Sequence, residues 1–321
     1  RVTSIKGAGN LKNAVYLIIL LLVFNFICSC KGESDKQDKS PEALIRRLGS
    51  DKEDVITGAE IELRKMGEKS VPFLIEGLKN DNKIIRQKSA YLLGDAGDGR
   101  AADPLILALK DSEPQVRGEA ASALGWINNK KSIEPLLEAL KDKDEYVRSK
   151  AAFSLGKIGD KKALGPLIKA LQDKSQTVRK EAVIALGLLG DVKSVPALIK
   201  ILDDYDPDVR AKTASALGQL GDKKAVEPLM KKVAMKNETP EVRIEAICAL
   251  GLLKDKKAIP VLLISLKDTD GTIRAWSSDS IARTGDKKAV AELEKALKQE
   301  KTSEVKARLQ ASLELLKKSG K

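Results

Sequence analysis

The chain has 321 residues, of which 32% are charged and only 3% aromatic, with a formal charge of +12 and no histidine. That length exceeds one ordinary hydrophobic core, and a composition led by helix formers with so few aromatics disfavours sandwiches and barrels. The missing histidine removes imidazole general bases, His-containing metal sites and Ser-His-Asp triads together.

The first predicted element is an address. Lys6 and Lys12 precede an apolar run from Ala14 to Ile27, shorter than the roughly 20 residues a membrane-spanning helix needs. A positive segment before a short apolar one fits a signal peptide. The run ends in Ile27-Cys28-Ser29-Cys30, which resembles the bacterial lipobox. The resemblance implies that residues 1–29 are a lipoprotein signal peptide. It also implies lipidation at Cys30, and stable membrane anchoring through several acyl chains. Lys31, where an aspartate would mark inner-membrane retention, favours the outer membrane of a bacterial envelope. An uncleaved signal anchor and a soluble protein are the alternatives. Residues 30–40 hold the modified cysteine and a polar stretch that reads as a flexible tether. Cys248 is then the remaining free thiol, and a small, partly buried residue is the simplest reading of it.

From residue 41 to 321 self-similarity dominates. Arginines recur at 86, 117, 148, 179, 210, 243 and 274, spaced by 31 residues except for one step of 33. Prolines keep step from Pro72 to Pro260, and a Leu-Gly pair recurs from Leu93-Gly94 to Leu250-Gly251. Each unit reads as two helices. The proline sits in the first turn of helix A, where its missing N–H has no partner to lose. Ile133, Leu136, Leu137 and Leu140 give helix A one apolar stripe, and Val147, Ala151, Ala152, Leu155 and Ile158 do so for helix B. Gly159 has the position of a left-handed helix terminus. One unit cannot bury enough surface to order itself, so neighbours must share a continuous core. Pro41–Met66, with Ile56 in the arginine column, reads as the front cap. Residues 289–318, with Glu292 in the proline column, read as the rear cap.

An Asp or Asn lies six residues before each arginine. The spacing predicts a bridge within each repeat, stacked into a ladder: Asp111 with Arg117, Asp142 with Arg148, Asp173 with Arg179, Asp204 with Arg210 and Asp268 with Arg274. Asn80/Arg86 and Asn237/Arg243 extend the series. A column present in every repeat is read as architecture rather than as an anion site.

The Gly-Asp, Pro-Leu, Asp, Val-Arg and Leu-Gly pattern over residues 41–318 resembles HEAT repeats of the phycobilisome-lyase-like subtype. It implies an all-α fold, a right-handed α-solenoid of about eight two-helix repeats, with helix B on a concave face. Its motifs specify fold better than function. Members include bilin lyase subunits, glycosylase-like proteins, hydroxylases and scaffolds, and the hydroxylase chemistry needs histidine–glutamate metal pairs absent here.

Positions five and nine after each arginine vary while the core columns do not. Tyr91, Phe153 and Ile184 come from the first column. Trp126, Lys157, Leu188, Gln219, Leu252 and Arg283 come from the second, with Trp276 two after Arg274. Together they form a candidate partner-binding strip. No nucleophile–base pair appears, and the glycines are read as helix-end residues rather than a phosphate loop. The resulting expectation is a monomeric, lipid-anchored, non-catalytic scaffold that binds a protein or peptide, with no cofactor. A bilin-lyase-like ligand-modifying protein and a nucleic-acid binder are the alternatives. Interleaved lysines and acids read as a solvated surface rather than a nucleic-acid footprint.

Overall fold

The computed structural model describes residues 38–318. The expected signal peptide, the lipidated Cys30 and the tether up to residue 37 lie outside the described residues. The chain divides into two compact units after Met66.

In the first unit, α1 (Pro41–Arg47) and α2 (Glu53–Met66) form one helix pair. Ser40 caps α1 by accepting a hydrogen bond from the Ala43 N–H at 3.3 Å, and Pro41 occupies the first turn, where no N–H is needed. Leu44, Leu48, Ala59 and Leu63 are buried, and Ile56 is buried in the arginine column.

The second unit is a stack of helix pairs, an α-solenoid. Its A helices are α3 (Val71–Gly77), α5 (Ala102–Ala108), α7 (Ile133–Ala139), α9 (Leu164–Ala170), α11 (Val195–Ile201), α13 (Val226–Ala234), α15 (Ile259–Ser265) and α17 (Val290–Gln299). They alternate with B helices α4 (Lys83–Ala96), α6 (Pro114–Ile127), α8 (Glu145–Ile158), α10 (Gln176–Leu189), α12 (Pro207–Leu220), α14 (Pro240–Leu253), α16 (Gly271–Thr284) and α18 (Ser303–Lys318). Among the described residues there are no strands.

Local chemistry sets each boundary. Gly159 ends α8 at φ 71°, the left-handed region where a Cβ is penalised. Two repeats place Asn128 (φ 56°) and Lys254 (φ 51°) there instead. Asp160 then accepts the Lys162 N–H at 2.9 Å, starting a one-turn 3₁₀ segment that leads into α9. The core columns behave as their periodicity demands: Leu136, Val147, Ala151, Ala152 and Leu155 are all within 1% of full burial.

The Leu-Gly glycines correct one expectation. They lie inside the B helices, not at their ends, and they answer to packing. A Cβ added to Gly156 would sit 2.5 Å from the Ala185 Cα, and one on Gly125 would sit 2.8 Å from the Ser154 Cα. Neighbouring B backbones approach too closely there for any side chain.

The arginine ladder is a second correction. The aspartate six residues before each arginine does not receive it through its carboxylate. Arg117 donates through Nε and Nη2 to Asp142, the acid of the following repeat, at 2.8 and 2.9 Å. Its Nη1 donates to the Asp111 and Ser112 carbonyls of its own turn. Arg86–Asp111, Arg148–Asp173, Arg179–Asp204 and Arg243–Asp268 repeat the inter-repeat link. Each aspartate also accepts a turn N–H, as Asp142 does from Asp144 at 2.8 Å. A six-residue spacing places the arginine against its own turn's backbone, so its fork is left pointing at the neighbour's carboxylate.

The 33-residue step shifts this pattern. There Arg210 pairs with Glu238, not with an acid in the Asn237 column, at 2.9 and 2.6 Å. Buried Lys232 joins through Asp203 at 2.8 Å and Glu238 at 3.6 Å. At the rear cap, Glu300 receives Arg274 at 2.7 and 2.9 Å.

Candidate functional site

An α-helix turns about 100° per residue, so positions two before and two, five and nine after the arginine share one side of helix B. On α8 these are Tyr146, Lys150, Phe153 and Lys157. The opposite side, carrying Val147, Ala151 and Leu155, is buried. The sequence therefore folds each B helix with one face committed to the core and one left over.

The two columns of the expected strip differ in exposure. Every residue nine after the arginine is exposed: Asp95, Trp126, Lys157, Leu188, Gln219, Leu252 and Arg283. Trp126 is 56% exposed, Leu188 57% and Leu252 46%. In the other column Tyr91 is exposed, whereas Phe153, Ile184 and Cys248 are half-buried between neighbouring B helices. The Cys248 thiol is pushed up to about 11 by burial and by Glu245, so it stays protonated at neutral pH.

Three strip residues converge. Tyr91, Trp126 and Phe153 line a cleft of about 510 Å³ across α4, α6, α8 and α10. The Trp126 and Phe153 rings are 6.0 Å apart and tilted by 54°, a favourable aromatic geometry. Lys157 Nζ lies 3.6 Å from the Trp126 ring centroid. Ile184, Leu188, Gln219, Leu252 and Arg283 do not line this cleft. Trp276 is half-buried on α16 with the Arg308 guanidinium 4.6 Å from its ring, and Asp279 beside it accepts from Arg308 and Ser312 of α18. The last helix therefore occupies this end of the strip.

The cleft contains residues that the sequence reading passed over: Glu119, Tyr146, Lys150 and Glu181. The Tyr146 hydroxyl donates to Glu119 at 2.5 Å, while burial and Glu119 raise its own pKa. Its ring lies across Gly118, where any Cβ would collide with it. Glu181 is half-buried, and burial raises its carboxyl above the usual range against the opposing charges of Lys180 and Lys150. A signal for these positions was present. The column two after the arginine reads Lys88, Glu119, Lys150, Glu181, Lys212, Glu245 and Trp276, alternating in sign at every repeat but the last.

No group of metal-ligating side chains occurs among the described residues, and no described helix is long and apolar enough to cross a membrane.

A model of HEAT repeats matches residues 71–148, 102–175, 133–205, 166–233 and 230–314. Among solved structures, Escherichia coli YibA is 25% identical over 84% of this chain and 98% of that chain, with a TM-score of 0.61. An engineered protein is 22% identical over 87% and 89%, with a TM-score of 0.50. The complex of CpcE and CpcF of phycocyanin lyase from Nostoc is 24% identical over 77% and 94%, with a TM-score of 0.46. No curated protein matches the chain.

Proposed function

We propose a binding role for this chain, which belongs to the HEAT-repeat family. It acts as a non-catalytic scaffold that receives a protein or peptide in the groove lined by the exposed, concave side of its B helices, held near a bacterial membrane by acylated Cys30. One observation carries the binding reading. The column nine after the arginine is exposed in all seven arginine-bearing repeats, yet it holds Trp126, Leu188 and Leu252, large apolar side chains that the core does not use. The core columns of the same helices vary only among small and aliphatic side chains, such as Ala152, Val183, Ile247 and Ser278, and the exposed column varies among aromatic, aliphatic and charged ones. The membrane reading rests on Ile27-Cys28-Ser29-Cys30 and the apolar run before it.

Crosslinking in intact cells followed by mass spectrometry tests both parts. A specific partner should be recovered with the native chain and lost in Leu188→Glu and Leu252→Glu variants that keep full helicity. Cys30→Ala should move the protein out of the membrane fraction. Recovery of the same partner by the two leucine variants would remove the groove reading, and an unchanged membrane fraction would remove the anchor.

A further inference from the structure

We infer that the cleft across α4, α6, α8 and α10 takes a basic side chain, an arginine or lysine carried by an extended segment of the partner. This rests on the groove reading above and adds the chemistry of what enters it.

Glu181 sets the sign. The carboxylates of the ladder each hold a guanidinium, as Asp142 and Asp173 do. Glu181 is half-buried too, yet among the described residues it forms no hydrogen bond or salt bridge. Its desolvation is opposed only by the charges of Lys180 and Lys150, with no direct contact, and a bound cation would supply one. Glu119 is a second carboxylate in the same cleft. The Tyr146 hydroxyl fixes its direction, and Tyr146 is itself seated over Gly118.

The walls suit the same guest. Trp126 and Phe153 already hold a cation of this chain, since Lys157 Nζ lies 3.6 Å from one ring centroid and 5.9 Å from the other. Lys157 is exposed, so its ammonium can return to water while an incoming guanidinium stacks in its place. An anionic guest would meet three lining carboxylates, Asp95, Glu119 and Glu181, against one lining lysine, Lys150. An apolar guest would bury Glu181 with no partner. The cleft spans four helices packed roughly 8–10 Å apart, a reach suited to a chain and not to a free ion.

The chain has two tryptophans, so the indole N–H of Trp126 is a resolved probe of this cleft in the ¹⁵N-labelled full chain. A blocked pentapeptide with alternating glycine and arginine should shift that resonance saturably. The same peptide with citrulline, which keeps the shape and loses the charge, should not. Glu181→Gln should weaken the arginine peptide about tenfold, the effect of losing one charged contact, with a melting temperature no lower than that of the native chain. Equal binding of the citrulline peptide, tighter binding of a glutamate peptide, or an unaltered affinity in Glu181→Gln would overturn the proposal. The partner crosslink separates it from the groove reading. If Leu252→Glu abolishes the crosslink while Glu181→Gln preserves it, the basic-residue pocket fails and the groove stands. If both variants preserve it, both readings fail.

Discussion

Within each repeat, the turn between the helices and the exposed side of helix B treat charge in opposite ways. At the turn, Arg179 and Asp204 are 4% and 5% exposed and joined by two short hydrogen bonds. Each nitrogen of that guanidinium fork donates to one of the chain's own turns. On the exposed side of helix B, Glu181, two residues after that arginine, is half-buried without a partner among the described residues, and Leu188, nine residues after it, is more than half exposed. A charge that recurs at every repeat is answered inside the molecule. Among the charges and apolar groups that change from repeat to repeat, Glu181, Leu188 and Leu252 are not taken up in this way, and those are the ones available to something else.

The largest effect should come from breaking the ladder. Arg179→Ala leaves Asp204 buried without its counter-charge and should cost about 3–5 kcal/mol, read by denaturant unfolding. A loss under 1 kcal/mol would mean that the ladder is decorative.

Acid should act on the same link at the rear cap. The Arg274 hydrogen bond holds the Glu300 carboxyl at about 2 in the folded chain, against an ordinary value of 4.5. A depressed folded pKa contributes stability that is complete above pH 4.5 and lost as pH falls toward 2. The loss should be about 2–3 kcal/mol, seen as acid-induced hydrogen exchange in α17 and α18. Glu300→Gln should be less stable at pH 7 and should flatten the acid dependence. A variant with the native acid profile would assign the transition elsewhere.

A smaller gain is expected at the end of α14. Lys254 sits at φ 51° where most repeats use glycine, so Lys254→Gly should stabilise by about 0.5–1 kcal/mol. A loss in melting temperature would show that the lysine makes a compensating contact.

The smallest change in stability should fall on the exposed side of helix B. Trp126→Ala should alter stability by less than about 0.5 kcal/mol while abolishing arginine-peptide binding. A large destabilisation would move Trp126 from the binding face to the core.

Much of this architecture was legible because each column obeys a local rule. The proline in the first turn of helix A, the aliphatic stripe of Leu136, Val147 and Leu155, and the left-handed Gly159 each follow from backbone geometry within one helix. The candidate strip was legible for the same reason, since core columns are uniform and the others vary. What escaped depended on the neighbour. The six-residue Asp–Arg spacing looked like an internal bridge, but Arg117 reaches 25 residues on to Asp142. The Leu-Gly glycines looked like helix ends, but Gly156 is dictated by the backbone of Ala185. Glu119 and Glu181 were overlooked because exposed helices commonly carry alternating Lys and Glu, and nothing along one chain segment shows that four such helices enclose a cleft.

The sequence by itself determined the all-helical repeat, its period and the division of each B helix into a uniform side and a variable one. These depend on interactions a few residues apart, where helical periodicity is a sufficient guide. Tertiary structure decided which carboxylate meets which arginine and where the aromatic residues converge. It also decided that the half-buried Glu181 carboxylate has no hydrogen bond or ion pair among the described residues, because those outcomes depend on how one repeat is set against the next.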